Sequence, residues 1–184
     1  MNILITGLMG SGKTLSANRM CSEFNYTKLS MAKWIKSTVA SHYKIEEINK
    51  SLTINDKPMR TILQEIGMYM RAVDKDWHVD EVIYEIKNRN INKFVIDDIR
   101  FKNEIDKLTS AFRCKIIKIE TTKKSRLERL IVRDMVVPTE EQLNESSELE
   151  VNNLNYDYLI ENNGCVDTLY SKIDDIVSQI RSTT

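Results

Sequence analysis

The segment from Gly7 to Thr14 carries the residue types that bind polyphosphates. Its sequence, GLMGSGKT, fits the pattern G-x-x-x-x-G-K-[ST]. Glycines allow such a loop to turn its backbone amides toward phosphates, while the lysine neutralises charge and the hydroxyl binds Mg²⁺. The pattern predicts an ATP site with Mg²⁺ as cofactor. Its expected ATP-binding residues are Gly7, Met9, Gly10, Ser11, Gly12, Lys13 and Thr14.

The flanking residues separate this loop from a chance match. An apolar run, Ile3 to Ile5, precedes the loop and predicts a buried strand. Apolar residues then follow at helical spacing: Ala17, Met20, Cys21 and Phe24. A strand, a glycine-rich loop and a helix in this order place phosphates at the helix N-terminus. A glycine-rich turn that binds nothing would have no reason to lie between two such elements.

A second set of residues could hold another anion. Arg60, Gln64, Gly67 and Arg71 follow Pro58 at positions i, i+4, i+7 and i+11, so they share one face of a predicted helix. Arginines can bind an anion through two parallel hydrogen bonds, and a glycine allows a ligand to approach closely. The alternative is a solvated helix face with two ordinary surface arginines.

Two acids and an arginine follow the apolar run Phe94–Ile96. Asp97, Asp98 and Arg100 would lie at the carboxyl edge of an open α/β sheet, where ligands bind. One carboxylate, with the Thr14 hydroxyl, could hold Mg²⁺ or orient the attacking oxygen, and Arg100 could bind an acceptor phosphate. The spacing does not decide between Asp97 and Asp98. The alternative is a helix cap beside a surface arginine.

Three further arginines share a helix face in the last third of the chain. Arg126, Arg129 and Arg133 are spaced i, i+3 and i+7. Such a face could close over a transferring phosphoryl group and neutralise its charge. The alternative is a solvated basic face, and the pattern does not say which of the three act.

The remaining periodicities predict the elements that position these residues. Strands are expected at 26–30, 116–119 and 158–160, and helices from Met31, from Pro58 with Asp56 near its cap, from about 76, and at the C-terminus. Alternating strands and helices predict an α/β fold with three α/β/α layers around a parallel sheet of about five strands. We expect one domain, 1–184, with an acceptor-binding helical insertion at about 31–89 and a lid at about 122–151.

Composition excludes several classes of protein. The chain has 184 residues, of which 41% are hydrophobic and 29% charged, so it is neither disordered nor low in complexity. Lysine and arginine (27) balance aspartate and glutamate (27), which argues against nucleic acid or a membrane surface as partner. Three scattered cysteines, no apolar span and no room for a secretory signal predict a cytoplasmic protein. The oligomeric state is open, a homodimer included.

The chain lacks the signatures of two large classes of nucleotide-binding protein. No Asn-Lys-x-Asp segment follows a central strand, as a GTPase requires, and the Ser-Gly-Gly signature of transporter ATPases is absent. A short chain with an early phosphate-binding loop and two insertions has the layout of small-molecule kinases.

Three segments together resemble the deoxynucleoside monophosphate kinases of tailed phages. They are the loop at Gly7, DKPMRTILQEIG at 56–67 and DIRFKNE at 98–104, and they occur in the family's order over most of the chain. The family also tends to carry a His-x-Ser-Glu element after the lid. Here Glu145–Glu148 reads ESSE, with glutamate in place of the histidine.

The resemblance implies transfer of the ATP γ-phosphoryl group to a deoxynucleoside 5′-monophosphate, with a viral or prophage source and, in that case, the host cytoplasm. It implies that Lys13, Thr14 and Mg²⁺ bind the phosphoryl donor, ATP. The implied catalytic residues are Lys13, Asp98, Arg100, Arg126, Arg129 and Arg133, and the implied substrate-binding residues are Arg60, Gln64, Gly67, Arg71, Arg100 and Glu104. The bases accepted, and the preference for deoxyribose over ribose, stay open.

Two other functions fit the same layout. One is a kinase for another phosphorylated acceptor, of the dephospho-coenzyme A or phosphomevalonate type. The other is a binding module that senses nucleotide without turning it over, although such a module would not need lid arginines.

Overall fold

A parallel sheet forms the centre of the computed structural model, which describes residues 1–46, 48, 52–134 and 150–182. Its strands are β1 (Asn2–Thr6), β2 (Thr27–Leu29), β5 (Phe94–Ile99), β6 (Cys114–Glu120) and β7 (Tyr158–Glu161). They lie in the order β2-β5-β1-β6-β7, and every neighbouring pair is parallel. The residues that follow β1, β5, β6 and β7 therefore leave the sheet at the same edge.

Helices cover both faces of this sheet. They are α1 (Lys13–Phe24), α2 (Lys33–Tyr43), α3 (Met59–Val73), α4 (Trp77–Asn88), α5 (Lys102–Ala111), α6 (Lys123–Asp134) and α7 (Val166–Ser182). Ile3 of β1 packs with Met20 of α1 and Ile173 of α7 on one face. Leu4, the next residue, packs with residues of α4 and α5, such as Leu108, on the other. The predicted α/β fold with three layers is confirmed.

The helices α2 and α3 form a small core of their own. Ile35 and Val39 of α2 pack with Met59 of α3, and Leu63 lies half-buried against them. The helix α4 instead joins the sheet, because its apolar residues, such as Val82, belong to the core on that face. The insertion bounds of about 31–89 stay a prediction.

A hairpin that the sequence analysis did not predict precedes α3. Its strands are β3 (Thr53–Ile54) and β4 (Lys57–Pro58), and Asn55 and Asp56 form the turn with φ of 49° and 62°. Both residues tolerate this left-handed conformation, which two-residue hairpin turns require. Pro58, expected in the first turn of α3, is instead its cap residue, and Asp56, expected near the cap, lies two residues earlier in the hairpin turn.

The predicted lid, about 122–151, is described only at its two ends, as residues 122–134 and 150–151. The segment Glu145–Glu148 lies outside the described residues. After it, Val151–Asn153 form a short 3₁₀ helix that leads toward β7. Among the described residues, no helix is long and apolar enough to cross a membrane.

Candidate active site

The loop between β1 and α1 has the backbone conformation that a phosphate cradle needs. Gly10 and Gly12 have φ of 83° and 106°, values that other residues rarely adopt. Space is also restricted, because a Cβ on Gly12 would lie 2.6 Å from Asn162 Nδ2. Gly12 directly precedes α1, so the loop amides and the helix N-terminus both favour an anion there.

Lys13 and Thr14 lie in the first turn of α1. The Lys13 ammonium donates to the carbonyl oxygens of Gly7, at 2.5 Å, and Leu8, at 2.9 Å, so its charge lies over the loop. Thr14 is exposed, and its hydroxyl is available to a metal. The hydroxyl of Ser11 is buried and has no hydrogen-bond partner among the described residues, so a phosphate oxygen or a water would satisfy it. These features fit ATP.

The loop is held in place by the residues that follow two neighbouring strands. Asn162, directly after β7, donates from Nδ2 to the Ser11 carbonyl at 2.8 Å. Thr121, directly after β6, donates to the carbonyls of Ser11 (3.3 Å) and Asn162 (3.0 Å). The sequence analysis missed both residues. The rule it used for Asp97 and Asp98, which examines the residues after each parallel strand, would have found them.

Of the three lid arginines, one contacts this loop and a second contacts the segment that anchors it. Arg126 donates to the Met9 carbonyl at 3.2 Å. Arg129 donates to the carbonyls of Asn162 (3.1 Å) and Gly164 (3.2 Å), in the segment that anchors the loop. Arg133 is exposed. It lies about 10 Å beyond Arg126 along α6, at a rise of 1.5 Å per residue.

Asp97 and Asp98 lie on opposite faces of β5. Asp98 accepts hydrogen bonds from the Ser30 hydroxyl at 2.6 Å and the Met31 amide at 3.0 Å, so its carboxylate holds the chain that enters α2. Asp97 is buried and forms an ion pair with Lys28 Nζ at 2.9 Å. No cluster of three or more histidine, cysteine or acidic side chains that could hold a metal occurs among the described residues. Mg²⁺ here would depend on Thr14, one acid and phosphate oxygens, which is a usual set for this ion.

Arg71, near the end of α3, meets the segment after β5. Its Nη2 lies 2.9 Å from Glu104 Oε1, and its guanidinium carbon lies 4.2 Å from the centre of the Phe101 ring. Glu104 Oε2 accepts from the backbone amides of Arg100 (2.8 Å) and Phe101 (3.1 Å). Glu104 is fully buried, so it reaches a ligand only through these neighbours.

Arg60, Gln64 and Gly67 lie half-buried on α3. Arg60 and Arg71 are eleven residues apart, which places their Cα atoms about 16 Å apart along the helix. A Cβ on Gly67 would lie 3.6 Å from Ile35 Cδ1, an ordinary contact distance, so α2 occupies the space beside this glycine.

A cavity of about 340 Å³ adjoins the loop at Gly7 and Leu8. The ends of β6 and β7 and the start of the 3₁₀ helix line its other side. Lys118, on β6, points into this region with its ammonium 2.9 Å from Glu120 Oε1.

No family model and no curated protein matches the chain. Solved structures do match, over nearly the whole of both chains. A gluconokinase from Sinorhizobium meliloti 1021 has a TM-score of 0.59 at 12% identity, covering 100% of this chain and 97% of its own. A shikimate kinase from Aquifex aeolicus vf5 has a TM-score of 0.57 at 12% identity, with coverage of 100% and 98%. TT1252 from Thermus thermophilus has a TM-score of 0.59 at 16% identity, with 97% of each chain covered. Because all three identities are low, the likeness establishes the fold and nothing finer: the chain has the α/β three-layer fold of P-loop kinases.

Proposed function

We propose that the protein transfers the γ-phosphoryl group of ATP to the 5′-phosphate of a deoxynucleoside monophosphate. The observation that carries this proposal is the position of two cationic groups at one sheet edge. Lys13 lies over the loop that follows β1, and Arg71 is fixed against the segment that follows β5. Since β1 and β5 are paired neighbours, a donor and an acceptor could be held side by side.

In this reaction the loop amides and Lys13 bind the β- and γ-phosphates of ATP. An oxygen of the acceptor phosphate attacks the γ-phosphorus, and the bond to the β-phosphate oxygen breaks to give ADP. Thr14 and either Asp97 or Asp98 would hold Mg²⁺, which would supply further neutralisation of phosphate charge. Arg126 and Arg129, which already contact the loop and its anchor, are placed to stabilise the group in transfer, and Arg133 would join them on closure.

The acceptor is bound on the α3 side. The Glu104 carboxylate contacts the side chain of Arg71 and the backbone amide of Arg100. We therefore assign both arginines to the acceptor phosphate. Arg60 and Gln64 lie at the other end of α3, about 16 Å from Arg71, and we assign them to the base or sugar. Arginines suit a phosphate because they form paired, charge-assisted hydrogen bonds with it.

In this proposal Asp98 is a positioning residue. Both of its carboxylate oxygens accept hydrogen bonds from the chain that enters α2. It therefore links β5 to the insertion that carries the acceptor. A cytoplasmic location rests on the sequence, and a viral or prophage source rests on the resemblance to the phage family. The oligomeric state stays open, a homodimer included.

The test is a panel of acceptors with ATP and Mg²⁺, followed by ADP release. The panel contains the four deoxynucleoside monophosphates, their ribonucleotide counterparts, dephospho-coenzyme A, phosphomevalonate, gluconate and shikimate. We expect ADP release with at least one deoxynucleoside monophosphate at a kcat/KM well above that for the last four compounds. Turnover confined to one of those four compounds would mean that this compound, and not a deoxynucleoside monophosphate, is the acceptor. ATP binding without turnover on any acceptor would favour a nucleotide-sensing module.

A further inference from the structure

Glu104 is an ionisable side chain with no exposed surface, which is unusual for a glutamate. It lies in the first turn of α5. Burial raises the pKa of its carboxyl group, and the nearby Arg71 guanidinium and the amides of Arg100 and Phe101 oppose this rise. A buried carboxylate is costly unless its oxygens are paired, so its partners indicate what it does.

Its two oxygens have different partners. Oε2 accepts the amides of Arg100 and Phe101 just before α5, as the third residue of a helix commonly does for the cap. Oε1 is turned toward α3, where it forms an ion pair with Arg71 Nη2 at 2.9 Å but accepts no hydrogen bond among the described residues. Capping alone would need only the first of these contacts. The second joins the insertion to the sheet edge.

Arg71 is held on a second side as well. Its guanidinium lies over the Phe101 ring at 4.2 Å, a distance at which a cation and an aromatic face attract. The side chain keeps 23% of its surface exposed. Its Nη1 atom is buried and lacks a hydrogen-bond acceptor among the described residues, so the exposed part of the side chain, and not this atom, is open to a ligand.

We infer that Glu104 is a positioning residue, which fixes the Arg71 guanidinium and the backbone of Arg100 together so that both are preset for the acceptor phosphate. This inference rests on the proposed function for the identity of the ligand. Glu104 itself touches no substrate. Its effect is to remove the cost of ordering a flexible arginine when the acceptor binds.

Asn103 supports this function of the segment. Its side-chain amide donates to the Lys75 carbonyl at 3.0 Å and to Asp76 Oδ1 at 2.8 Å, in the turn between α3 and α4. The start of α5 therefore holds α3 at its C-terminal end, where Arg71 lies.

The test compares Glu104→Gln with Arg71→Met and with the double variant. Glutamine has one oxygen and one NH₂ group. Its NH₂ group must therefore face either the backbone amides of Arg100 and Phe101 or the Arg71 guanidinium. We expect Glu104→Gln to raise the KM for the best deoxynucleoside monophosphate about tenfold and to leave the KM for ATP within about twofold. The double variant should be no worse than Arg71→Met. Asp106→Asn, which removes an exposed carboxylate from the same helix, is the matched control and should change neither KM.

A second variant covers the case in which Glu104→Gln fails to fold. Phe101→Leu keeps the backbone amide and Glu104 but removes the ring under Arg71, and it should raise the acceptor KM in the same direction. An acceptor KM unchanged in both Glu104→Gln and Phe101→Leu would overturn the inference. Additive effects of Glu104→Gln and Arg71→Met would also overturn it, because Glu104 would then act by another route.

The side-chain Nη–H signal of Arg71 in an NMR spectrum separates this inference from the proposed function. We expect this hydrogen to be protected from exchange with water in the unmodified protein and to exchange rapidly in Glu104→Gln. If no acceptor in the panel is turned over, the proposed function fails, and this signal alone decides whether Glu104 fixes Arg71. Equal protection in both proteins would show that it does not.

Discussion

The side-chain amide of Asn162 donates to the Ser11 carbonyl at 2.8 Å and so joins the end of β7 to the middle of the phosphate-binding loop. Both groups are buried, and the two residues lie 151 positions apart in the chain. The same Ser11 carbonyl also accepts from Thr121 after β6. The loop is therefore shaped by two strands that lie beyond it in the sheet as well as by its own glycines.

From this contact we predict that Asn162→Ala weakens ATP binding. The loop would lose its anchor and the Ser11 carbonyl would lose a buried donor, at a cost of about 1–3 kcal/mol in the free energy of unfolding. We expect the KM for ATP to rise several-fold while the KM for the acceptor changes little. Thermal unfolding and initial rates measure the two effects. Asn88→Ala, on the exposed surface of α4, is the control. A rise in the acceptor KM alone would argue against the anchor.

Lys13→Ala should abolish phosphoryl transfer and leave the fold intact. Lys13 donates to two carbonyls of its own loop and is only half-buried, so its loss removes no residue of the hydrophobic core. We expect kcat to fall about 10³-fold, as for removal of one group that stabilises charge in a transition state. The far-UV circular dichroism spectrum should be unchanged. Lys87→Ala on α4 is the control, and substantial turnover by folded Lys13→Ala would contradict this donor site.

Gly12→Ala and Gly67→Ala should have opposite effects on stability. Gly12 has φ of 106°, and an added Cβ would lie 2.6 Å from Asn162 Nδ2, so alanine is strained there and disturbs the loop. Gly67 is helical, and an added Cβ would meet Ile35 at an ordinary 3.6 Å. Alanine at 67 should therefore stabilise the protein by about 0.5–1 kcal/mol.

The variants Gly12→Ala and Gly67→Ala also test the predicted role of Gly67 in acceptor binding. Thermal unfolding gives the stability change, and initial rates give the KM for the acceptor. If ligand approaches Gly67 closely, Gly67→Ala raises this KM despite the gain in stability. An unchanged KM would leave the glycine a packing role against α2.

The sequence predicted the sheet and the loop because their signals are local. A strand, three glycines and an amphipathic helix are adjacent in the chain, so Gly7–Thr14 could be placed without knowledge of the tertiary structure. The carboxyl-edge rule placed Arg100 directly after β5, but Asp97 and Asp98, expected to follow a strand that ended at Ile96, lie within β5, which continues to Ile99. The hairpin turn at Asn55 and Asp56 also had a local signal, two residues that tolerate positive φ, but the following proline favoured a helix start.

The partners of the site residues were not predictable by the same means. Asp98 is bound to the start of α2, 67 positions earlier in the chain, and no local pattern indicates that contact. Glu104 is an intermediate case. A glutamate as the third residue of a helix can accept the amide of the cap residue, but the full capping pattern needs Ser or Thr at the cap, where this chain has Phe101. The contact of Glu104 with Arg71 depends on how α3 packs on the sheet edge, which only the tertiary structure gives.

The pH dependence of Arg71→Met should reveal the buried charge of Glu104. Burial raises the pKa of Glu104 above its ordinary 4.5, and Arg71 limits the rise. Without Arg71 the pKa rises further, so the folded state takes up a proton at a higher pH than the unfolded state does. The stability that the variant loses should be about 2–3 kcal/mol near neutral pH, below the range for a fully buried pair because Arg71 is partly exposed.

This loss should shrink as the pH falls toward about 5, because protonation removes the unpaired charge. Urea unfolding of the unmodified protein and of Arg71→Met, measured at several pH values between about 5 and 8, gives the difference directly. The control is Arg60→Met on the same helix, whose effect should not vary with pH in this way. A loss for Arg71→Met that stays constant across the range would mean that Glu104 remains ionised without its partner, and the two backbone amides would then be sufficient to hold its charge.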